Sequence, residues 1–86
     1  MVRIASHVSW HPVDGELALF DMRDGTYHIL NATAAAIWRG LIDTQTPAAC
    51  AETLAVHYGA PSAEIREDVD AFIALALTKG LLVEDA

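Results

Sequence analysis

The sequence predicts an α+β fold in which a three-stranded antiparallel sheet precedes three helices. Two observations predict it. Residues 3–30 alternate apolar and polar side chains between turn residues, and residues 31–83 carry apolar side chains at helical spacings of three and four. With 86 residues, 53% of them hydrophobic, the chain has the length of one compact domain, and we assign residues 1–86 to it.

The first predicted strand runs through Ile4, Val8 and Trp10. Turn residues around Pro12 and Asp14-Gly15 follow it. Because proline cannot donate a backbone hydrogen bond, we expect the strand to end at Pro12.

The second and third predicted strands, residues 16–21 and 26–30, form a hairpin. Asp24-Gly25 lies between them, and Asp-Gly is a strong signal for a tight turn in which both residues adopt positive φ. The hairpin therefore places residues 26–30 beside the second strand.

Capping residues define the three helices that follow. The first helix, residues 32–43, follows the cap Asn31. The second, residues 47–58, begins after Thr46 and ends at Gly59. The third begins at Pro61-Ser62, and Gly80 ends it after Lys79. In the third helix the inward row is Ile65, Val69, Phe72, Ile73 and Ala76. Leu75 and Leu77 lie on opposite flanks of that row, so one flank is free for something to cover it. A small sheet beside three helices is the general shape of a winged helix-turn-helix domain.

The charge of the chain limits its partners. The chain has five Lys and Arg residues and twelve Asp and Glu residues, which gives a formal charge of −7. This negative charge repels nucleic-acid phosphates. No apolar run approaches the roughly 18 residues of a membrane span, and the first residues lack the apolar core of an export signal. We therefore expect a cytoplasmic protein that binds neither nucleic acid nor membrane, and whose partner is basic or bound through apolar and backbone contacts.

No pattern typical of catalysis or metal binding occurs. His7 and His11 are the closest histidine pair, but four residues of strand separate them by roughly 13 Å. There is no activated Ser or Cys and no glycine-rich phosphate loop, and Cys50 lies on a helix as an ordinary core residue. We predict a protein that is not an enzyme, with no metal and no cofactor.

The third strand, residues 25–30, leads directly into the first helix and contains neither Lys nor Pro, which commonly blunt exposed edges. An open edge there is a template for an added peptide strand. The alternative, an ordinary hairpin edge covered by the first strand or by a helix, stays open on these residues.

Several segments together resemble the PqqD-like family. They are Leu19-Phe20, the run from Asp24-Gly25-Thr26 through Leu30-Asn31-Ala32 to Ile37-Trp38, Val69-Asp70-Ala71-Phe72, and Lys79-Gly80-Leu81-Leu82. The resemblance covers roughly residues 8 to 83. It implies a non-catalytic peptide chaperone, a recognition element that binds the leader of a ribosomally made precursor peptide and presents it to a modifying enzyme.

The resemblance also implies a site. In the family, the leader lies as an added antiparallel strand beside the third strand, in a groove walled by the third helix. The strand residues carried over are Gly25, Thr26, Tyr27, His28, Ile29 and Leu30. The helical wall is assigned to Asp68, Phe72, Leu75 and Lys79, chosen from the wide apolar arc of the third helix.

The resemblance leaves the pathway open. In pyrroloquinoline quinone biosynthesis the partner enzyme is a radical SAM enzyme, whereas in lasso-peptide clusters it can be a leader peptidase. Without a fused catalytic domain, the chain is expected to act in trans. Two other functions remain as alternatives: a winged-helix transcription regulator, which the acidic charge disfavours, and a homodimeric structural subunit paired through the same edge strand.

Overall fold

The structure is a computed structural model that describes residues 1–84 as five strands and three helices. The strands are β1 (Val2–Ile4), β2 (Val8–Val13), β3 (Glu16–Asp21), β4 (Thr26–Leu30) and β5 (Leu82–Glu84), and the helices are α1 (Ala32–Thr44), α2 (Pro47–Tyr58) and α3 (Ser62–Thr78). An antiparallel sheet has the order β2-β3-β4, and β1 pairs with β5 in a separate ribbon. The predicted class, a three-stranded sheet followed by three helices, is confirmed.

The predicted first strand is two strands with a turn between them. The Val8 amide donates to the Ala5 carbonyl and closes the turn, while the Ala5 amide donates to the Leu81 carbonyl at 3.1 Å. The chain before the turn therefore pairs with β5. The prediction that Pro12 ends the strand is wrong, because Pro12 lies inside β2 opposite Leu17.

The turn predicted at Asp14-Gly15 is confirmed, whereas the turn at Asp24-Gly25 has a different form from the predicted one. Asp14 and Gly15 have φ values of 50° and 82° and connect β2 to β3 as a two-residue turn with both residues left-handed. The connection from β3 to β4 is instead a four-residue loop, in which Gly25 has a φ of 73° and Asp24 does not have positive φ. The tight turn predicted at Asp24-Gly25 is therefore wrong, although the hairpin is present.

The helix caps are those the sequence predicts. The Asn31 side chain accepts a hydrogen bond from the Ala34 amide, the Thr46 side chain caps α2, and Gly59 ends α2 with left-handed φ. The last residue of α3 differs slightly, since Lys79 is the C-cap and Gly80 follows it with a φ of 73°.

The core lies between the sheet and the three helices. Its largest fully buried side chains are Trp38, Leu17, Leu19, Val69 and Cys50. The thiol of Cys50 is buried, and burial raises its pKa, as expected of an unreactive core cysteine. Helical spacing predicts an apolar stripe of Ala51, Leu54, Ala55 and Tyr58 on α2; the first three are buried, but Tyr58 is exposed.

Candidate peptide-binding site

The strand β4 lies at one end of the sheet and pairs only with β3 among the described residues. The two-residue turn determines which backbone groups of β4 are free. In such a turn the flanking residues, Val13 and Glu16, exchange hydrogen bonds, and bonded and non-bonded pairs alternate from there along the ladder. Pro12 then falls in a non-bonded pair, which explains why its missing N–H is tolerated inside β2.

Along β3, successive residues direct their backbone N–H and C=O groups alternately towards β2 and towards β4, so the pattern set by the turn also fixes the β3–β4 pairs. It directs the backbone groups of Leu17, Leu19 and Asp21 towards β4, where their partners are Leu30, His28 and Thr26. Tyr27 and Ile29 therefore direct their N–H and C=O groups away from the sheet. The free edge of β4 consists of these two residues.

The six strand residues predicted for the site thus divide into groups with different roles. The Gly25 amide is already used, because it donates to the Asp21 carbonyl at 2.9 Å, and the Thr26 amide donates to the Asp24 carboxylate. The side chains of Thr26, His28 and Leu30 share the face of Leu17 and Leu19, which is the core face. Those of Tyr27 and Ile29 project to the opposite face and are exposed.

The four helix residues predicted for the site lie on one face of α3, since they are spaced by four, three and four residues. Leu75 is 56% exposed, whereas Leu77 on the opposite flank packs against the core. The open flank of α3 is therefore the Leu75 side. Phe72 anchors this flank, because its ring packs edge-on against the buried Trp38 ring at 6.3 Å between centroids.

The half-exposed Arg23 pairs with the buried Asp21 carboxylate and also connects the β3–β4 loop to the end of α3. The Arg23 guanidinium donates to both carboxylate oxygens of Asp21, the shorter contact being 2.7 Å, and also to the Lys79 carbonyl at 3.1 Å. Gly80 permits this approach, because a Cβ there would lie 2.6 Å from an Arg23 nitrogen. A second hydrogen bond at this end of α3 joins the Nε2 of His7 to the Gly80 carbonyl oxygen, at 2.8 Å.

This cluster of Asp21, Arg23, Lys79 and Gly80 fixes where α3 ends relative to the start of β4. The end of α3 is therefore held close to the β3–β4 loop, from which β4 begins. Sequence reasoning missed Asp21 and Arg23, although an Asp and an Arg two residues apart at the end of a strand were a visible signal.

The ion pair predicts an acid-dependent loss of stability. The hydrogen bonds from Arg23 lower the pKa of Asp21 to about 2. Because the folded-state pKa lies below the ordinary value of 3.8, the ionised carboxylate stabilises the fold above about pH 4, and this contribution is lost as the pH falls towards 2. We expect Asp21→Asn to be less stable at pH 7 and to lose less further stability between pH 4 and pH 2.

Urea unfolding followed by circular dichroism at several pH values checks this prediction. Asp43→Asn, a change at an exposed carboxylate on α1, serves as the matched control. Parallel stability curves for Asp21→Asn and the unmodified chain between pH 4 and pH 2 would contradict the role of the Asp21 carboxylate.

The described residues contain no group of three or more His, Cys, Asp or Glu side chains that could hold a metal ion. Within residues 1–84, no helix combines the length and the apolar character that a membrane span requires. The fold defines an α+β domain in which β4 has a free edge and α3 has an open, partly apolar flank at Leu75.

Comparison with known proteins gives the family. The family described as Coenzyme PQQ synthesis protein D (PqqD) matches residues 16–82, and the chain belongs to this family. No curated protein matches the chain.

Two solved structures are similar over nearly the whole chain. "TbiB1 in Complex with the TbiA(beta) Leader Peptide" has 25% sequence identity and a TM-score of 0.88, and the match covers 98% of each chain. "Lasso peptide synthetase B1 complexed with the leader peptide" has 29% identity and a TM-score of 0.86, and the match covers 96% of this chain and 98% of that one. Both are complexes of B1 proteins with leader peptides.

Proposed function

We propose that this chain binds the leader region of a ribosomally synthesised precursor peptide as an additional strand on β4, and that it does so without catalysing a reaction. The observation that carries the proposal is the free edge at Tyr27 and Ile29. Their two N–H and two C=O groups can form four hydrogen bonds with an incoming strand. Neither residue is charged or a proline, the residue types that commonly prevent strand addition at an edge.

The flank of α3 supports the same proposal by giving the peptide side chains a surface to contact. A strand added beyond β4 directs every second side chain to the core face, where His28 and Leu30 already project. On that side we assign the groove wall to Asp68, Phe72, Leu75 and Lys79. Main-chain bonds would then supply affinity, and the apolar contacts at Phe72 and Leu75 would select the sequence.

Family membership supports a leader as the occupant, since both similar structures hold leader peptides. The likeness to a lasso peptide synthetase B1 protein favours a lasso-type pathway, with a leader peptidase as the enzyme that receives the peptide. A radical SAM enzyme of pyrroloquinoline quinone biosynthesis is the alternative recipient. We place the encounter in the cytoplasm, where a ribosomally made peptide first becomes available.

The α3 flank is tested by placing a charge on it. We expect Leu75→Asp to weaken binding of the leader by about tenfold or more, because an unpaired carboxylate would be buried under the peptide. Isothermal titration with a synthetic leader of the precursor encoded beside this gene measures the change. Val56→Asp on α2 is the matched control, since Val56 is also an exposed apolar helix residue and lies outside the proposed site.

If both aspartate variants bind like the unmodified chain, the Leu75 flank is not part of the site. If the unmodified chain fails to bind the leader at all, the proposed function itself is wrong.

A further inference from the structure

An exposed apolar pair lies on the outer face of the sheet, on the side opposite the groove. Tyr27 and Ile29 are each 63% exposed, although both have large hydrophobic side chains. The centroid of the Phe20 ring, on the neighbouring strand β3, lies 4.8 Å from that of the Tyr27 ring, so the two rings pack together on this face. The residues whose backbone forms the free edge therefore also present an apolar surface on the face away from α3.

From this juxtaposition we infer that the bound peptide is recognised on both of its faces, with two apolar side chains, spaced two residues apart, packing on Tyr27 and Ile29 outside the groove. The inference deepens the proposed function and rests on it. In paired strands, residues directly opposite one another project to the same face, with Cβ atoms about 5 Å apart. The peptide residues opposite Tyr27 and Ile29 are thus in contact range of these side chains.

The position of the pair favours the peptide as its occupant. Both side chains belong to the edge strand, and an added strand lies only about 4.8 Å beyond it. Val13, another exposed apolar side chain of the same face, lies two strands away on β2 and is out of reach of such a peptide. It therefore provides an internal control.

The inference specifies the chemical class of the peptide segment. The residue opposite His28 projects to the groove, and its two neighbours project to Tyr27 and Ile29. Three successive peptide residues therefore contact protein, and all three should be apolar. At the two outer positions β-branched or aromatic residues pair best with Ile29 and Tyr27, and acidic residues are disfavoured by the formal charge of −7.

The test compares the double variant Tyr27→Thr/Ile29→Thr with Val13→Thr. Threonine retains the backbone donors and the strand propensity, so only the outer apolar contacts are removed. We expect the double variant to bind the synthetic leader roughly three- to tenfold more weakly, and Val13→Thr to bind it unchanged. Thermal unfolding of each variant verifies that the sheet is retained.

An aspartate scan of the leader gives an independent readout. Affinity losses at three successive positions support recognition on both faces. Losses only at every second position, together with unchanged binding by the double variant, overturn it while leaving the proposed function intact. A leader that binds neither the unmodified chain nor any variant overturns both.

Discussion

We expect Ile29→Pro to bind the leader roughly 30-fold or more weakly while the sheet remains folded. The proline ring removes the outward N–H of Ile29, leaves a carbonyl of the added strand without its donor, and places a bulky group at the edge. The fold tolerates the change because this N–H does not bond to β3. Pro12 already occupies the equivalent kind of position on the opposite edge strand.

Two controls separate this effect from unfolding. Ile29→Val keeps the donor and should bind the leader almost normally. His28→Pro removes an N–H that the alternation directs towards β3, so it should unfold the sheet instead. Isothermal titration combined with circular dichroism distinguishes the three variants. A folded Ile29→Pro variant with unchanged affinity would contradict strand addition at β4.

Replacing Trp38 with alanine has the largest expected effect on stability. Trp38 is fully buried at the centre of the core, and its ring supports Phe72 on α3. Truncation of a buried aromatic residue costs about 3–5 kcal/mol, which approaches the entire free energy of unfolding of a small domain. We expect Trp38→Ala to be largely unfolded at 25 °C.

Trp38→Phe should be much milder, for a reason specific to this site. The Nε1 of Trp38 is buried without a hydrogen-bond partner in the part of the chain that the structure describes. Phenylalanine leaves a smaller cavity than alanine and also removes this unsatisfied donor, so the cost should be about 1–2 kcal/mol. Urea unfolding measures both variants, and equal losses for Phe and Ala would contradict this account of the indole nitrogen.

The helices could be predicted from the sequence because their signals are local. Asn31 and Thr46 cap their helices through amides three residues away, and Gly59 ends α2 by its own backbone conformation. Likewise, the existence of the hairpin follows from two β-prone runs joined by turn residues. The order of the elements, and hence the fold class, required no knowledge of distant contacts.

Some of the errors concern contacts between residues far apart in sequence, and others concern the local form of a turn. The ribbon of β1 and β5 joins the two ends of the chain, and nothing in residues 2–4 alone indicates that partner. The β3–β4 loop is wider than its Asp-Gly suggests, and Arg23 in this loop bonds to Asp21 and to the distant Lys79 carbonyl. The residue types were visible, but their partners were not.

In the candidate site, too, the residues could be predicted from the sequence but their contacts could not. The resemblance to the PqqD-like family indicated residues 25–30 and one face of α3, but it did not distinguish their roles. The register of the sheet makes that distinction, because it leaves the backbone groups of Tyr27 and Ile29 at the free edge and directs those of their neighbours towards β3. The exposure of Leu75 likewise identifies the open flank of α3.

Amide hydrogen exchange, measured residue by residue with and without the leader peptide, tests the central claim most directly. In the free chain the Tyr27 and Ile29 amides should exchange fast, while the His28 amide between them and the Leu30 amide after them are already protected by β3. We predict that the leader selectively slows exchange at Tyr27 and Ile29. Saturating leader that leaves both amides exchanging at their free rates would contradict the claim that the peptide adds to β4 as a strand.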